Sequence, residues 1–500
     1  MVMRPSPLHA WVSPFAVAYV PGALTPALEQ AAGALLEWLR FAGCPIHDEP
    51  NNHTELIVTT ARLGVPIPRD EALLFHAKRK YRLNHRPVVL TMVDVPEADY
   101  QRWLERFTEL ARQPEDALAP EQYAGLGPQA VEVIAHQARR GGPELAFSRL
   151  VQAQALSVRV MALRTLDGRP YRAMHFDLAG ARPVTDATDM ESFAADVGPR
   201  VLAAVCSQEV KAHAFLDDPV PAEQWAGLRG PDAMIRAGNI FTEFGFFTTP
   251  FFVEKILGFR GISEAISAQY SEGCYAVYEP ELGGMITTAT GSSRLVDKRS
   301  ISRADQAVIV GIRPGRDGAW VRPVAGLDPV MPSVEAVEML SISQAVATHK
   351  RANAAGELVD VPNLRALLHG HLGVAAFDPA YVEAVQLDPL YYTQLVSCGT
   401  SALAHGSATA FARSEALRRL DDPRRLVFLE QPGHGVMVAE KWSDPDDDRD
   451  AFEIIHEYLR AGHLQMTLDI PQGPILWESF TDGDGRTYQR KASLELERVP

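Results

Sequence analysis

The chain has 500 residues, with 48 basic against 63 acidic side chains and a net charge of −15. That balance argues against a nucleic-acid or anionic-membrane surface, since both need a basic stripe. At 46% hydrophobic and 22% charged residues the composition is that of an ordinary soluble globular protein, too long for one core, so two to four domains are expected.

The opening stretch, Met1 to Gly22, carries one Arg and an apolar run broken by Pro5, Pro7, Pro14 and Pro21. It lacks the continuous apolar core of a secretory signal. No window reaches about 18 uninterrupted apolar residues, so no membrane span is expected. Cys44, Cys206, Cys274 and Cys398 are far apart and form no CxxC pair. This excludes a zinc ribbon and fits reduced thiols in a cytoplasmic protein.

Phe15 to Val20 has the pattern of a buried strand, and Thr25 with Glu29 opens an amphipathic helix to about Phe41. Glu55 to Thr60 predicts a second strand, Asp70 to Tyr81 a helix and Pro87 to Val93 a third strand. Such alternation predicts a parallel, doubly wound sheet. No GxGxxG follows these strands, so a dinucleotide cofactor is not supported. The basic run His76 to Arg82 has the pattern of a solvated helix face, the other reading being an anion site. From Glu97 to Val151 a charged helical pattern, broken at Pro114, Pro120 and Gly141-Gly142-Pro143, suggests a connector.

Strands at Leu156 to Leu163 and Tyr171 to Leu178, with helices near Asp189 to Gln208 and Asp232 to Glu243, predict a second α/β unit. Here His175, Asp177 and Arg182 cluster at a strand end, as in a ligand-binding loop. Glu243 is the polar group in the aromatic patch Phe241 to Phe252.

The stretch Gln269 to Lys298 concentrates Glu272, Cys274, Glu279, Glu281, the Gly283-Gly284 turn, a β-branched run and Asp297. Two carboxylates at neighbouring loop ends of one sheet would hold a divalent cation by oxygen ligands. Beyond it, Gln306 to Ile312 and Trp320 to Val324 flank Pro314-Gly315-Arg316-Asp317-Gly318, a hairpin signal. His369 and His371 alternate with Gly370 and so share a strand face, while Gly433 and Gly435 flank His434 and leave room for a ligand. Asp444 to Asp450 lacks calcium-loop spacing and has the pattern of a solvated turn. Ile475 to Phe480 and Tyr488 to Leu496 flank the turn Asp482 to Gly485 as a closing hairpin. The expected fold class is α/β: two doubly wound parallel α/β domains, 1–150 and 151–305, followed by a β-rich C-terminal domain, 306–500.

This order of domains, with Glu279-Pro280-Glu281-Leu282-Gly283-Gly284, Asp297 and the Gly-flanked His434, resembles the L-fucose and L-arabinose isomerase family. Ser397-Cys398-Gly399 stands where a His-Cys-Gly would be looked for. The resemblance implies a divalent metal, Mn²⁺, held by Glu279, Asp297 and His434 and chelating two adjacent oxygens of an open-chain sugar. It implies aldose–ketose isomerisation through an enediol, with Glu279, Glu281 and Asp297 as the catalytic carboxylates. Glu281, Glu272 and Glu243, in that order, are the candidates for moving the proton. His175, Arg182, Glu243 and His371 would line the sugar. The expected setting is a cytoplasmic homo-oligomer acting on a small sugar, with no nucleic acid and no membrane partner. Two other readings are an enzyme with Cys398 or Cys274 as nucleophile beside a histidine, and a catalytically silent sugar-binding or assembly protein.

Overall fold

In the computed structural model the described residues are 16–51, 53–65, 67, 88–112, 128–155, 157, 159–176, 184–209, 213–247, 273–289, 298–313, 318–391, 399–467, 471 and 473–491. The fold is mixed α/β, and the chain divides into two compact units, the first reaching to Glu209 and the second covering Val210–Thr249 and Gln269–Pro500. Among the described residues no helix is long and apolar enough to cross a membrane.

The first unit is built on seven strands: β1 (Ala16–Tyr19), β2 (Ile46–His47), β3 (Thr54–Arg62), β4 (Val88–Pro96), β5 (Arg159–Leu166), β6 (Arg169–Phe176) and β7 (Val184–Asp186). They form one sheet in the order β2-β1-β3-β4-β5-β6-β7, parallel from β2 through β5. β3 and β4 are buried along nearly their whole length, as parallel strands covered on both faces must be. The cover comes from α1 (Pro26–Phe41), α2 (Glu97–Arg112), α3 (Pro128–Ala155) and α4 (Met190–Glu209). Leu28 and Leu35 of α1 share a core with Phe193 and Val197 of α4, while Phe107 of α2 packs with Phe147 and Leu150 of α3. α1 starts where its sequence signal lies: the Thr25 hydroxyl accepts the Leu28 N–H at 3.3 Å, and Pro26 occupies the first turn.

The expected boundary at 150/151 is corrected by this sheet. β5 pairs in parallel with β4 from Leu90↔Arg159 to Pro96↔Thr165, so the segment assigned to a second α/β unit completes the first. It then reverses through Asp167 and Gly168, at φ 51° and 74°, and β6 returns antiparallel. Two positive φ values in a two-residue turn match the twist of a hairpin. The expected helix Asp70 to Tyr81, with its basic run, lies outside the described residues.

The second unit begins with β8 (Ala214–Phe215), β9 (Cys274–Glu279), β10 (Gly284–Thr288), β11 (Gln306–Ile312) and β12 (Ala319–Arg322). It continues with β13 (Thr348–Ala352), β14 (Leu358–Pro362), β15 (Leu364–Gly370), β16 (Gly373–Phe377) and β17 (Val382–Gln386). The last strands are β18 (Leu426–Gln431), β19 (Gly435–Lys441), β20 (Leu464–Thr467), β21 (Trp477–Thr481) and β22 (Thr487–Lys491). The large sheet runs β17-β18-β19-β15-β9-β10-β11-β12-β8 and is antiparallel except for the pair at each end. β13 and β14 form a separate hairpin, and β20-β16-β22-β21 a smaller sheet.

This topology corrects the expected doubly wound parallel domain over 151–305. β9 and β10 form an antiparallel hairpin, and β10 pairs with β11 across the expected 305/306 boundary. The turn between Glu279 and Gly284 is far too short for a parallel crossover. Helices α5 (Gly230–Glu243), α6 (Ala336–Ala345), α7 (Ser401–Ala412) and α8 (Glu453–Ala461) cover the sheet. Phe241 of α5 and Ile454 and Ile455 of α8 share a core with Tyr275, Val277, Leu368 and Val438. Side chains alternate between faces, so Cys274, Thr287 and His369 point the other way, toward α6, where Thr287 meets the Met339 sulfur at 3.8 Å.

Candidate metal centre

Three adjacent strands of the second unit, β9, β15 and β19, carry the site. His369 is paired with Cys274 on one side and with Met437 on the other, and Gly370 lies opposite Val436. β15 ends at Gly370, so His371 follows directly. His434 stands in the turn that joins β18 to β19. Gly433 at φ 79° provides the left-handed residue of that turn, and the His434 N–H donates to the Gln431 carbonyl at 2.9 Å. A Cβ on Gly435 would fall 2.2 Å from the Gly370 carbonyl oxygen, so two glycines let these backbones touch. The turn is thereby pressed onto the end of β15.

The consequence is convergence of three imidazoles. The ring centroids are separated by 5.2 Å for His369 and His371, 4.8 Å for His369 and His434, and 4.9 Å for His371 and His434. One ring nitrogen of each lies within 4.8 Å of the others, and the cluster can hold a metal ion. His369 Nδ1 is 3.0 Å from the Val436 carbonyl oxygen, which fixes the proton on Nδ1 and leaves the Nε2 lone pair unengaged. Nε2 of His369 and Nε2 of His434 are both buried with no hydrogen-bond partner among the described residues. An orphaned buried nitrogen destabilises the fold by about 1–3 kcal/mol, and an ion among the rings would relieve two of them. Burial pushes His369 down to about 4 and His434 well below the ordinary histidine value. Both rings are neutral at pH 7, the form that ligates.

A buried polar layer supports the rings. Glu335 accepts from the Ser333 hydroxyl at 2.6 Å and from the Cys274 thiol at 3.3 Å, and its charge partly offsets the burial of His369. Lys298 is also buried, with its ammonium 5.7 Å from the Phe247 ring centroid. Burial and then the Glu335 charge raise the Cys274 thiol well above its usual range. A thiol held protonated against a carboxylate is a poor nucleophile, which argues against Cys274 as the attacking group.

His434 and His371, both expected from the sequence, are in the cluster, joined by His369. Glu279 is not, and its assignment as a ligand beside His434 is corrected. It lies five residues from Cys274 along β9, about 17 Å at roughly 3.3 Å per residue, and an odd spacing turns it to the opposite face. There it packs against Gly230 at the start of α5. The Glu281 carboxylate accepts the Ala354 N–H at 2.7 Å, away from the histidines. His175 belongs to the first unit, where burial and the Arg200 charge push it down to about 3. Glu243 is solvent-exposed at the C-terminal end of α5. Asp177, Arg182, Glu272, Asp297 and Cys398 lie outside the described residues. Sequence inspection passed over Glu335, a single charge in a segment of no special pattern, while Lys298 was noted only as the end of the stretch that begins at Gln269. The pair His369 and His371 was visible as an alternating motif, but not its meeting with His434. The chain matches no protein-family model, and no curated protein matches it.

Proposed function

We propose that this protein is a metal-dependent enzyme with its ion among His369, His371 and His434, and that its reaction is the aldose–ketose isomerisation of a small sugar. The observation that carries the metal is the pair of buried, unpartnered Nε2 atoms within a three-histidine cluster. The sugar and the reaction rest on the sequence resemblance. Three imidazoles suit Zn²⁺ better than the Mn²⁺ expected from carboxylate ligands, because Mn²⁺ favours oxygen donors. When bound, the ion supplies Lewis acidity toward adjacent carbonyl and hydroxyl oxygens.

The chain's own groups do the rest. Val436 orients His369, and His371, the least buried of the three rings, marks the side open to a ligand. Glu335 takes over the proton-moving role first given to Glu281, being the carboxylate beside the cluster. Lys298 offers positive charge to an oxygen that gains negative charge. The cytoplasmic, homo-oligomeric setting belongs to the same proposal.

Metal content by plasma emission spectroscopy tests it, on protein purified without a histidine tag. We expect about one Zn²⁺ or related ion per chain in the native protein and none in His434→Ala, followed by ketose formation in an aldose screen. No ion after incubation with Zn²⁺ or Mn²⁺ overturns the metal centre. A loaded protein that binds aldoses without converting them overturns the reaction and supports a sugar-binding protein.

A further inference from the structure

The three strands that carry the histidines also carry a second site. At the opposite end of β9, β15 and β19, on the face covered by α5 and α8, lies a cleft of ≈ 270 Å³. Its volume is just below the range of small-molecule pockets, about 300–1,000 Å³, so its occupant is small. Most charges around it are already matched. Asp447 is 3.2 Å from Arg365 and 3.4 Å from Arg449, and Asp450 is paired with Arg236 and, at 2.7 Å, with Arg229. Asp448 is solvent-exposed.

Among the described residues four charged lining groups form no ion pair: Glu281, whose carboxylate takes the Ala354 N–H, the exposed Asp448, and two that bear opposite charges, Arg351 and Glu279. The Arg351 guanidinium donates to the Pro445 and Asp447 backbone carbonyls at 2.8 and 2.9 Å, and lies 4.4 Å from the Trp442 ring centroid. Among the described residues it is bonded to no carboxylate, although the charges of Asp447, Asp446 and Asp444 act on it, and Arg365 lies over the same indole at 4.6 Å. Crowded guanidiniums of this kind attract an anion, which Arg holds through a planar fork. Trp442 also lines the cleft, and its Nε1 is buried without a hydrogen-bond partner among the described residues. Glu279 is the other group. It is 8% exposed and accepts the Gly230 and Glu281 backbone N–H groups, and among the described residues it forms no ion pair. Burial raises its carboxyl to about 7, with the Glu281 charge adding to the rise and the Arg351 charge and the two backbone N–H groups only partly offsetting it. The Glu281 bond to Ala354, in the turn of the β13–β14 hairpin, ties the strand bearing Arg351 to the turn after Glu279.

We propose that this cleft binds a small zwitterion of the α-amino-acid type, its carboxylate on Arg351 and its ammonium group on Glu279. The remaining lining is close to charge balance, so a ligand with both signs and no net charge fits. A dianion such as phosphate would stand beside Glu279 and Glu281. The cleft shares no residue with the histidine cluster, and the inference does not rest on the proposed isomerisation.

Ligand-observed saturation-transfer NMR on the full chain tests it, with the twenty L-amino acids as probes and acetate and inorganic phosphate as comparison anions. At least one amino acid is expected to receive saturation, and to keep doing so after chelator treatment. Its affinity is expected to fall at least tenfold in Arg351→Gln and in Glu279→Gln. Circular dichroism checks the fold of each variant. Should either fail to fold, Gly230→Ala, whose Cβ would sit 3.1 Å from a Glu279 carboxylate oxygen, provides a third variant with the same expectation. Absence of any amino-acid signal, survival of binding in the variants, or displacement by acetate or phosphate alone would overturn the proposal.

Discussion

At the scale of single residues the two sites differ in how they handle burial. Burial keeps His369 and His434 neutral, and among the described residues their Nε2 atoms lack partners, as atoms free to ligate would. Removal of one ring, as in His369→Ala, is expected to weaken Zn²⁺ binding by more than about 100-fold in a competition titration with a chromophoric chelator. Glu335→Gln should weaken it about 10–100-fold, the size of effect produced by loss of a supporting carboxylate. Glu279 is a carboxylate whose burial outweighs the nearby Arg351 charge, and its folded value of about 7 lies above its unfolded value. The folded state therefore binds the proton more tightly. This favours folding below about pH 4.5, and the advantage disappears as the pH rises through about 7. One pKa unit corresponds to about 1.4 kcal/mol, so the loss is on the order of 3 kcal/mol. Comparing Tm at pH 5 and pH 8 in Glu279→Gln should show a shallower decline than in the native chain.

At the scale of elements, close backbone contacts decide what the side chains can do. Gly435 lies where a Cβ would meet the Gly370 carbonyl at 2.2 Å, so Gly435→Ala must move β19 away from the end of β15. We expect that variant to lose metal before it loses fold: Zn²⁺ stoichiometry falls while far-UV circular dichroism is retained. In the first unit Gly198 brings α4 onto α1, with a Cβ there 2.1 Å from the Trp38 ring. Gly198→Ala is expected to destabilise that unit by about 1–3 kcal/mol through overpacking, read as a lower urea midpoint with the metal content unchanged. These two alanines separate the unit that carries the histidine cluster from the unit that does not.

At the scale of the whole molecule, the two units do not share a core: one packs clusters on both faces of a mostly parallel sheet and the other packs its main cluster on a mostly antiparallel sheet. An ion that binds the folded state alone stabilises it by about 2.7 kcal/mol at a hundredfold excess over Kd. Chelation should therefore lower Tm, and Zn²⁺ should restore it. The alternation of Phe15 to Val20, the Thr25 cap and Glu55 to Thr60 determined by themselves that the chain opens as an α/β sheet, because strand and helix periods and caps are local. The glycines around His434 likewise marked it from sequence, since backbone freedom is a property of the residue. What the sequence left open was pairing. The partner of β5 and the direction of β10 depend on contacts among distant strands, and the boundaries at 150/151 and 305/306 moved for that reason. So did the site: His369, His371 and His434 meet only because β15 and β19 are neighbours, and Glu279 is taken from them by the pleat of β9.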